Sequence, residues 1–303
     1  MRIGIDLGGT KIEGILIDAA GHEVLRLRTD TPQGDYAATV RTVADIARAL
    51  DERAGGVQPS IGVGIPGAIS PATGLVKNAN SVCLIGHALD RDIAAATGRD
   101  AVRLANDANC FAVSEAHDGA AKGAEVVFGV ILGTGVGGGI SIRGHALTGP
   151  NAIAGEWGHN PLPWPEAGDS GDERPGPPCY CGKSGCIETF LSGPGMARDH
   201  RAATGRDLDA RTIAARALDG DADCGATLAR YEHRLARALA TVINVLDPDA
   251  VVLGGGLSNI ERLTVNVPKL WGAWVFSDHV ATKLVKNLHG DSSGVRGAAW
   301  LWD

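Results

Sequence analysis

The chain has 303 residues, enough for two domains with cores of their own, and its 44% hydrophobic and 21% charged residues are ordinary for a globular enzyme. A net charge of −7, with no basic tail or Lys/Arg cluster, removes the electrostatic case for nucleic acid. No apolar, charge-free run reaches the roughly 18 residues of a membrane-spanning helix, and Asp6 inside the first apolar run is unlike a signal peptide, so a cytoplasmic protein is expected.

Residues 3–7 read as a buried strand, Gly8-Gly9-Thr10 as a tight turn and 11–18 as the returning strand, with a third strand at 23–28. Val40, Val43, Ile46 and Leu50 repeat near the helical period and predict a helix that Gly55 and Gly56 stop. Residues 60–65 form another buried strand ending at Pro66-Gly67. Residues 101–105 form one more, after which Asn106 or Asp107 caps a helix through 109–115. The opening pattern then recurs, because residues 4–10 can be laid on residues 129–135, each an apolar strand followed by a Gly/Thr turn. This predicts an internal duplication, two domains of one kind that each open with a β-hairpin. Leu228, Leu235, Leu239, Val242 and Leu246 mark a long amphipathic helix ended at Asp247-Pro248-Asp249. A strand at 250–253 follows and runs into Gly254-Gly255-Gly256. The Pro-, Gly- and acid-rich stretch 161–178 reads as a loop, and its part 165–178 carries no motif.

Three glycine turns thus follow apolar strands: Gly8-Gly9-Thr10-Lys11, Gly133-Thr134-Gly135 and Gly254-Gly255-Gly256. Such turns expose backbone N–H groups and can cradle phosphate oxygens, although a single one is usually a plain hairpin. Asp6 aligns with Ile131, so one copy has an acid where the other does not; that acid suits Mg²⁺ or caps its turn. Asn106-Asp107-Ala108-Asn109 places a carboxylate at a strand-to-helix junction, where it can take a proton from a hydroxyl or serve as a cap. Cys179, Cys181 and Cys186 have C-x-C-x4-C spacing, and His159 adds a nitrogen, which completes a closed Cys3His set of the structural-zinc kind in a reducing compartment. Cys83, Cys110 and Cys224 lack such spacing and read as apolar core residues.

The segments 6–11, 106–109 and 132–135, with Glu156-Trp157-Gly158-His159 and 179–188, together resemble the ROK family (repressors, open reading frames and kinases) over residues 2–302. Within it the chain resembles bacterial fructokinases most, on residues 77–81, 155–164 and 289–302. The resemblance implies an α/β fold of two ribonuclease-H-like, actin- and hexokinase-like ATPase domains around a central cleft. The expected domains are 1–118 and 119–290, with a helix at about 291–303 returning to the first. It implies ATP along the glycine turns with Mg²⁺ at Asp6, and Asp107 as general base. Gly67, Asn80, Asn106, Glu156, His159 and Glu188 would meet the sugar, with His159 serving both metal and sugar, and a homodimer is expected. The favoured activity is phosphorylation of the 6-hydroxyl of fructose, with mannose also accepted; N-acetylglucosamine kinase and glucokinase are the alternatives. A ROK repressor would need a helix-turn-helix ahead of Ile3, and the charge does not suit DNA.

Overall fold

The structure is a computed structural model that describes residues 1–166 and 173–302; the expected loop at 165–178 therefore lies partly outside the described residues, as does Asp303 at the end of the expected final helix. Strands β1 (Arg2–Leu7) and β2 (Lys11–Ile17) form the first antiparallel hairpin, and β3 (Glu23–Asp30) pairs with β2. Helix α1 (Tyr36–Arg53) buries Val40, Val43, Ile46 and Leu50. The side chain of Asp35 caps its start by accepting from the Ala38 N–H at 2.8 Å. Its end falls just before Gly55 and Gly56, whose φ values of 67° and 89° only glycine adopts readily. Strand β4 (Ser60–Ile65) runs parallel to β1, and β5 (Ala68–Ile69) with β6 (Val76–Lys77) makes a small separate ribbon. Helix α2 (Leu89–Thr97), strand β7 (Arg103–Asn106) and helix α3 (Asp107–His117) follow. The sheet order is β3-β2-β1-β4-β7.

The second half opens with β8 (Val126–Leu132), β9 (Val136–Ile142) and β10 (His145–Ala146). Helices α4 (Ile187–Leu191), α5 (Gly193–Thr204), α6 (Ala210–Leu218) and α7 (Ala222–Leu246) come next, then β11 (Ala250–Gly254), α8 (Arg262–Leu270), β12 (Lys283–Lys286) and α9 (Ser293–Ala299). The second sheet has the order β10-β9-β8-β11-β12. In both sheets a hairpin is flanked by its third strand on one side and by two mutually parallel strands on the other. The repeat seen over a few residues of sequence is thus a repeat of sheet order. Gly254 is the last, buried residue of β11 and not part of a turn; Gly255, at φ 76°, makes the bend.

Two compact units emerge: residues 1–129, 139–155 and 288–303, and residues 130–138 with 156–287. These units do not break at 118 and 290. Residues 119–129 and 139–155 go with the first unit because they pack against its helix α3. A Cβ on Gly129 would lie 2.7 Å from the Phe111 ring, and His117 Nε2 lies 3.1 Å from the Gly144 carbonyl. In the same unit α9 lies against β1 and β4. A Cβ on Gly4 would come within 2.7 Å of the Ala299 nitrogen, and Trp302 Nε1 donates to the Ile61 carbonyl at 2.6 Å. The core beneath is aliphatic, with Ile3, Ile5, Val63 and Leu50 fully buried. No helix of the described residues is long and apolar enough to cross a membrane.

Candidate active site

In the first unit a cavity of about 700 Å³ is lined by Asp6, Gly8, Gly9, Asn80 and Asp107 among the expected residues, and by Thr31, Gln33, Pro66 and Ser81, to which no site role was assigned. The turn after β1 is tight because the Gly8 N–H donates to the Lys11 carbonyl at 3.0 Å. It is pinned from outside by Thr31, whose hydroxyl donates to the Gly8 carbonyl at 2.8 Å. Thr10 and Lys11 are exposed and do not line the cavity.

Asp107 is the first residue of α3, and Asn106 is its N-cap, accepting from the Ala108 N–H at 3.0 Å. Asp107 Oδ1 accepts from the same N–H at 2.8 Å. Position and sequence agree: β7 delivers the chain to the sheet end, and the cap turns it so that the next carboxylate faces the cavity. Asn106 Nδ2 donates to the Gly67 carbonyl at 3.3 Å, so Gly67 and Asn106 act as cavity framework and are not in its lining. Asn80 is placed by its own N–H, which donates to the Pro66 carbonyl at 3.1 Å. Burial first, then the charges of Asp107 and Glu13, push the Asp6 carboxyl up to about 7, against the opposing pull of Arg28. A divalent cation bound there would reverse that shift, and two carboxylates in one polar cavity suit a hard cation such as Mg²⁺.

The second unit holds a larger cavity of about 1090 Å³, lined by Gly133 and Thr134 of the β8–β9 turn, by Gly256, and by an apolar wall that includes Ala210, Leu228 and Ile260. A Cβ on Gly133 would have no neighbour within 4 Å, so its backbone is open to the cavity. Gly135, Gly254 and Gly255 do not line it. Arg211, Asn259 and Arg262 do, and nothing in their spacing announced them.

The four expected metal ligands meet: one ligand atom each from His159, Cys179, Cys181 and Cys186 lies within 4.8 Å of the others. Cys179 Sγ is 3.6 Å from His159 Nδ1, and Cys181 Sγ is 3.6 Å from Cys186 Sγ. A tetrahedron with Zn–S near 2.3 Å and Zn–N near 2.05 Å requires edges of about 3.5–3.8 Å, so the donor types fit zinc and these two edges have the size it needs. Gly182 and Gly185, at φ 85° and 72°, turn the loop between the thiols. Burial, then the neighbouring Cys181 and Cys179, push the Cys186 thiol up to about 12. The outer ring nitrogen of His159, expected to reach a sugar hydroxyl, instead lies 2.9 Å from the Tyr180 hydroxyl, a partner that would fix the ring as a metal ligand needs. Glu156 is exposed. Glu188 is half-buried and accepts from the Val136 N–H at 2.9 Å.

Comparison with known proteins defines a class, the sugar kinases with the actin- and hexokinase-like ATPase fold. The ROK hexokinase from Thermus thermophilus matches with a TM-score of 0.85 at 30% identity, covering 99% of this chain and 97% of that one. A ROK family glucokinase from Streptomyces griseus, solved with glucose and AMPPNP, matches at 0.75 and 25%, over 98% and 97%. The N-acetyl-D-glucosamine kinase of Yersinia enterocolitica is 39% identical over 99% of this chain and 99% of its own length. The chain belongs to the ROK family, whose profile matches residues 2–303.

Proposed function

We propose that the chain is an ATP-dependent sugar kinase that phosphorylates the 6-hydroxyl of N-acetyl-D-glucosamine. The observation that carries the chemistry is Asp107, held at the first position of α3 and facing the same cavity as Asp6 and the Gly8-Gly9 turn. In this role Asp107 accepts the proton of the attacking hydroxyl and Asn80 orients the sugar, while Asn106 holds the Asp107 end of α3 in place. The glycine-lined cavity of the second unit takes the nucleotide, with the Gly133 and Thr134 backbone toward the phosphates and the apolar wall against the base. Mg²⁺ at Asp6 would neutralise charge on the transferring phosphoryl group. Zinc on His159, Cys179, Cys181 and Cys186 would be structural, because four protein ligands leave no open position.

The sugar is the point at which the sequence reading gives way. The short likenesses favour fructose, with N-acetylglucosamine as an alternative, and the 39% identical relative weighs toward that alternative. A coupled ADP-release assay against N-acetylglucosamine, fructose, mannose and glucose decides: kcat/KM should be highest for N-acetylglucosamine, and a higher value for fructose overturns that choice. The expected homodimer is open to analytical ultracentrifugation.

A further inference from the structure

Two short segments of the second unit brace the β8–β9 turn, and each ends at the thiol cluster two residues away. On the upstream side Trp157 Nε1 donates to the Gly137 carbonyl at 2.9 Å, and Gly158 lies so close to the Val136 carbonyl that a Cβ would collide with it. The next residue is His159. On the downstream side Cys186 is followed by Glu188, whose Oε2 accepts from the Val136 N–H at 2.9 Å. That oxygen fills the space a side chain on Gly135 would need, at 2.6 Å from its Cβ position. Further along, the Gly193 N–H donates to the Gly133 carbonyl at 2.8 Å. The braces already touch, through Leu162 N–H to the Gly185 carbonyl and Ile187 N–H to the Asn160 carbonyl, both at 2.8 Å. The Cys3His set lies just beyond and joins both.

We propose that the metal cluster acts as the clamp of the nucleotide turn, with Glu188 as the positioning residue that transmits it: metal on His159 and the three thiols fixes Glu188, and Glu188 holds the Gly133–Gly135 backbone in its ligand-ready shape. This rests on reading the glycine-lined cavity as the nucleotide site. A carboxylate bonded to a backbone N–H is a strong link, and two of the three residues of the turn it holds are glycines, whose backbone is free to take many conformations.

The test is ADP binding by isothermal titration calorimetry to the zinc-loaded protein, to the chelator-stripped protein, and to Glu188→Gln with its zinc content measured. Circular dichroism reports whether each stays folded. Stripping and Glu188→Gln should each weaken ADP by at least about fivefold, the lower end of ordinary site-to-site coupling. In Glu188→Gln this should occur at full zinc content and unchanged helical signal. Equal ADP affinity in loaded and stripped protein, both folded, overturns the clamp and leaves the nucleotide site standing. If stripping unfolds the protein, Glu188→Gln decides alone: unchanged ADP binding at full zinc overturns the clamp. A loaded protein that binds no ADP sinks the nucleotide reading and the clamp with it.

Discussion

Glu173 is the residue whose loss should be felt most in stability. Its Oε1 accepts from Arg234 Nε and from Arg237 Nη2, each at 2.8 Å; its Oε2 accepts from Arg237 Nη2 at 2.9 Å and from the Glu166 N–H at 2.7 Å. Arg237 is fully buried on α7 and, among the described residues, otherwise meets only the carbonyls of Pro163 and Trp164, with no partner there for its Nε. Arg234 keeps Asp199 at 2.6 Å whatever happens to Glu173. Glu173→Gln therefore strands one buried guanidinium, and removing one partner of a buried pair costs about 3–5 kcal/mol. Gln retains the volume and one acceptor, so the lower end applies, and at roughly 2–4 °C per kcal/mol Tm should fall by about 6–12 °C. Burial pushes the Glu173 carboxyl up, but the hydrogen bonds from Arg237 and Arg234 outweigh it and hold the carboxyl below its ordinary 4.5. Its stabilisation is then present above pH 4.5 and lost as pH falls through the lowered folded value. Differential scanning fluorimetry of wild type and variant between pH 7 and pH 3 should show the gap closing in acid. A Tm difference under about 2 °C at neutral pH, or a gap that does not change with pH, would refute the reasoning.

Asp107→Asn should cut kcat by about 10²–10⁴ with sugar affinity nearly unchanged, and more than about a tenth of wild-type activity would remove Asp107 from the role of base. Gly133→Val places a branched side chain in the second-unit cavity and should weaken ADP in a direct titration; an unchanged dissociation constant makes that turn structural. Asp6 carries a raised folded value of about 7 against an ordinary 3.8, so its protonated form stabilises the fold at low pH and that contribution is lost as pH rises toward and through 7. Asp6→Asn should accordingly raise the metal-free Tm at pH 8, leave it near wild type at pH 4, and weaken Mg²⁺-dependent turnover. A metal-free Tm at pH 8 equal to or below wild type contradicts this.

Local periodicity and turn chemistry made the two hairpins, α1, β4, α3, α7 and β11 legible in the sequence, and residue spacing alone assembled the Cys3His set. The residues that line the cavities were only partly legible. Thr31, Gln33 and Ser81 reach the Asp6–Asp107 cavity from a strand end and a loop, where no pattern distinguishes a lining side chain from a solvated one. The short, Ala-rich helices α2 and α6 lack a long apolar stripe, and α6 supplies Ala210 and Ala214 to the other cavity. The end of the unplaced loop at Glu173 is tied to α7 by charges more than sixty residues away, a pairing that no local window contains. The assignment of residues 139–155 to the first unit was not legible for the same reason: they pack by contact with α3, which sequence order does not reveal.

Duplication explains why the same hairpin appears twice, and the two copies have diverged in what holds their turns. In the first, a threonine hydroxyl from the neighbouring strand end grips the Gly8 carbonyl, and the strand carries Asp6, a carboxyl pushed up by burial and by a second acid. In the second, Ile131 stands at the equivalent position, and the turn is gripped by Glu188 and by the Gly193 N–H, both from chain beyond the cysteines. A turn whose support is intrinsic to its own sheet can host a charged site without further parts. A turn in which Gly133, Gly135 and the following Val136 are braced from an inserted segment depends on whatever orders that segment. The insertion between β10 and α4 buries Trp157 and Leu162 but exposes Tyr180 and Cys181 around its thiols, so at that tip ligation would add order to what the Glu173 tie supplies. The two copies of one hairpin thus differ in where their support comes from, and the second draws its grip from the segment that carries His159 and the three thiols.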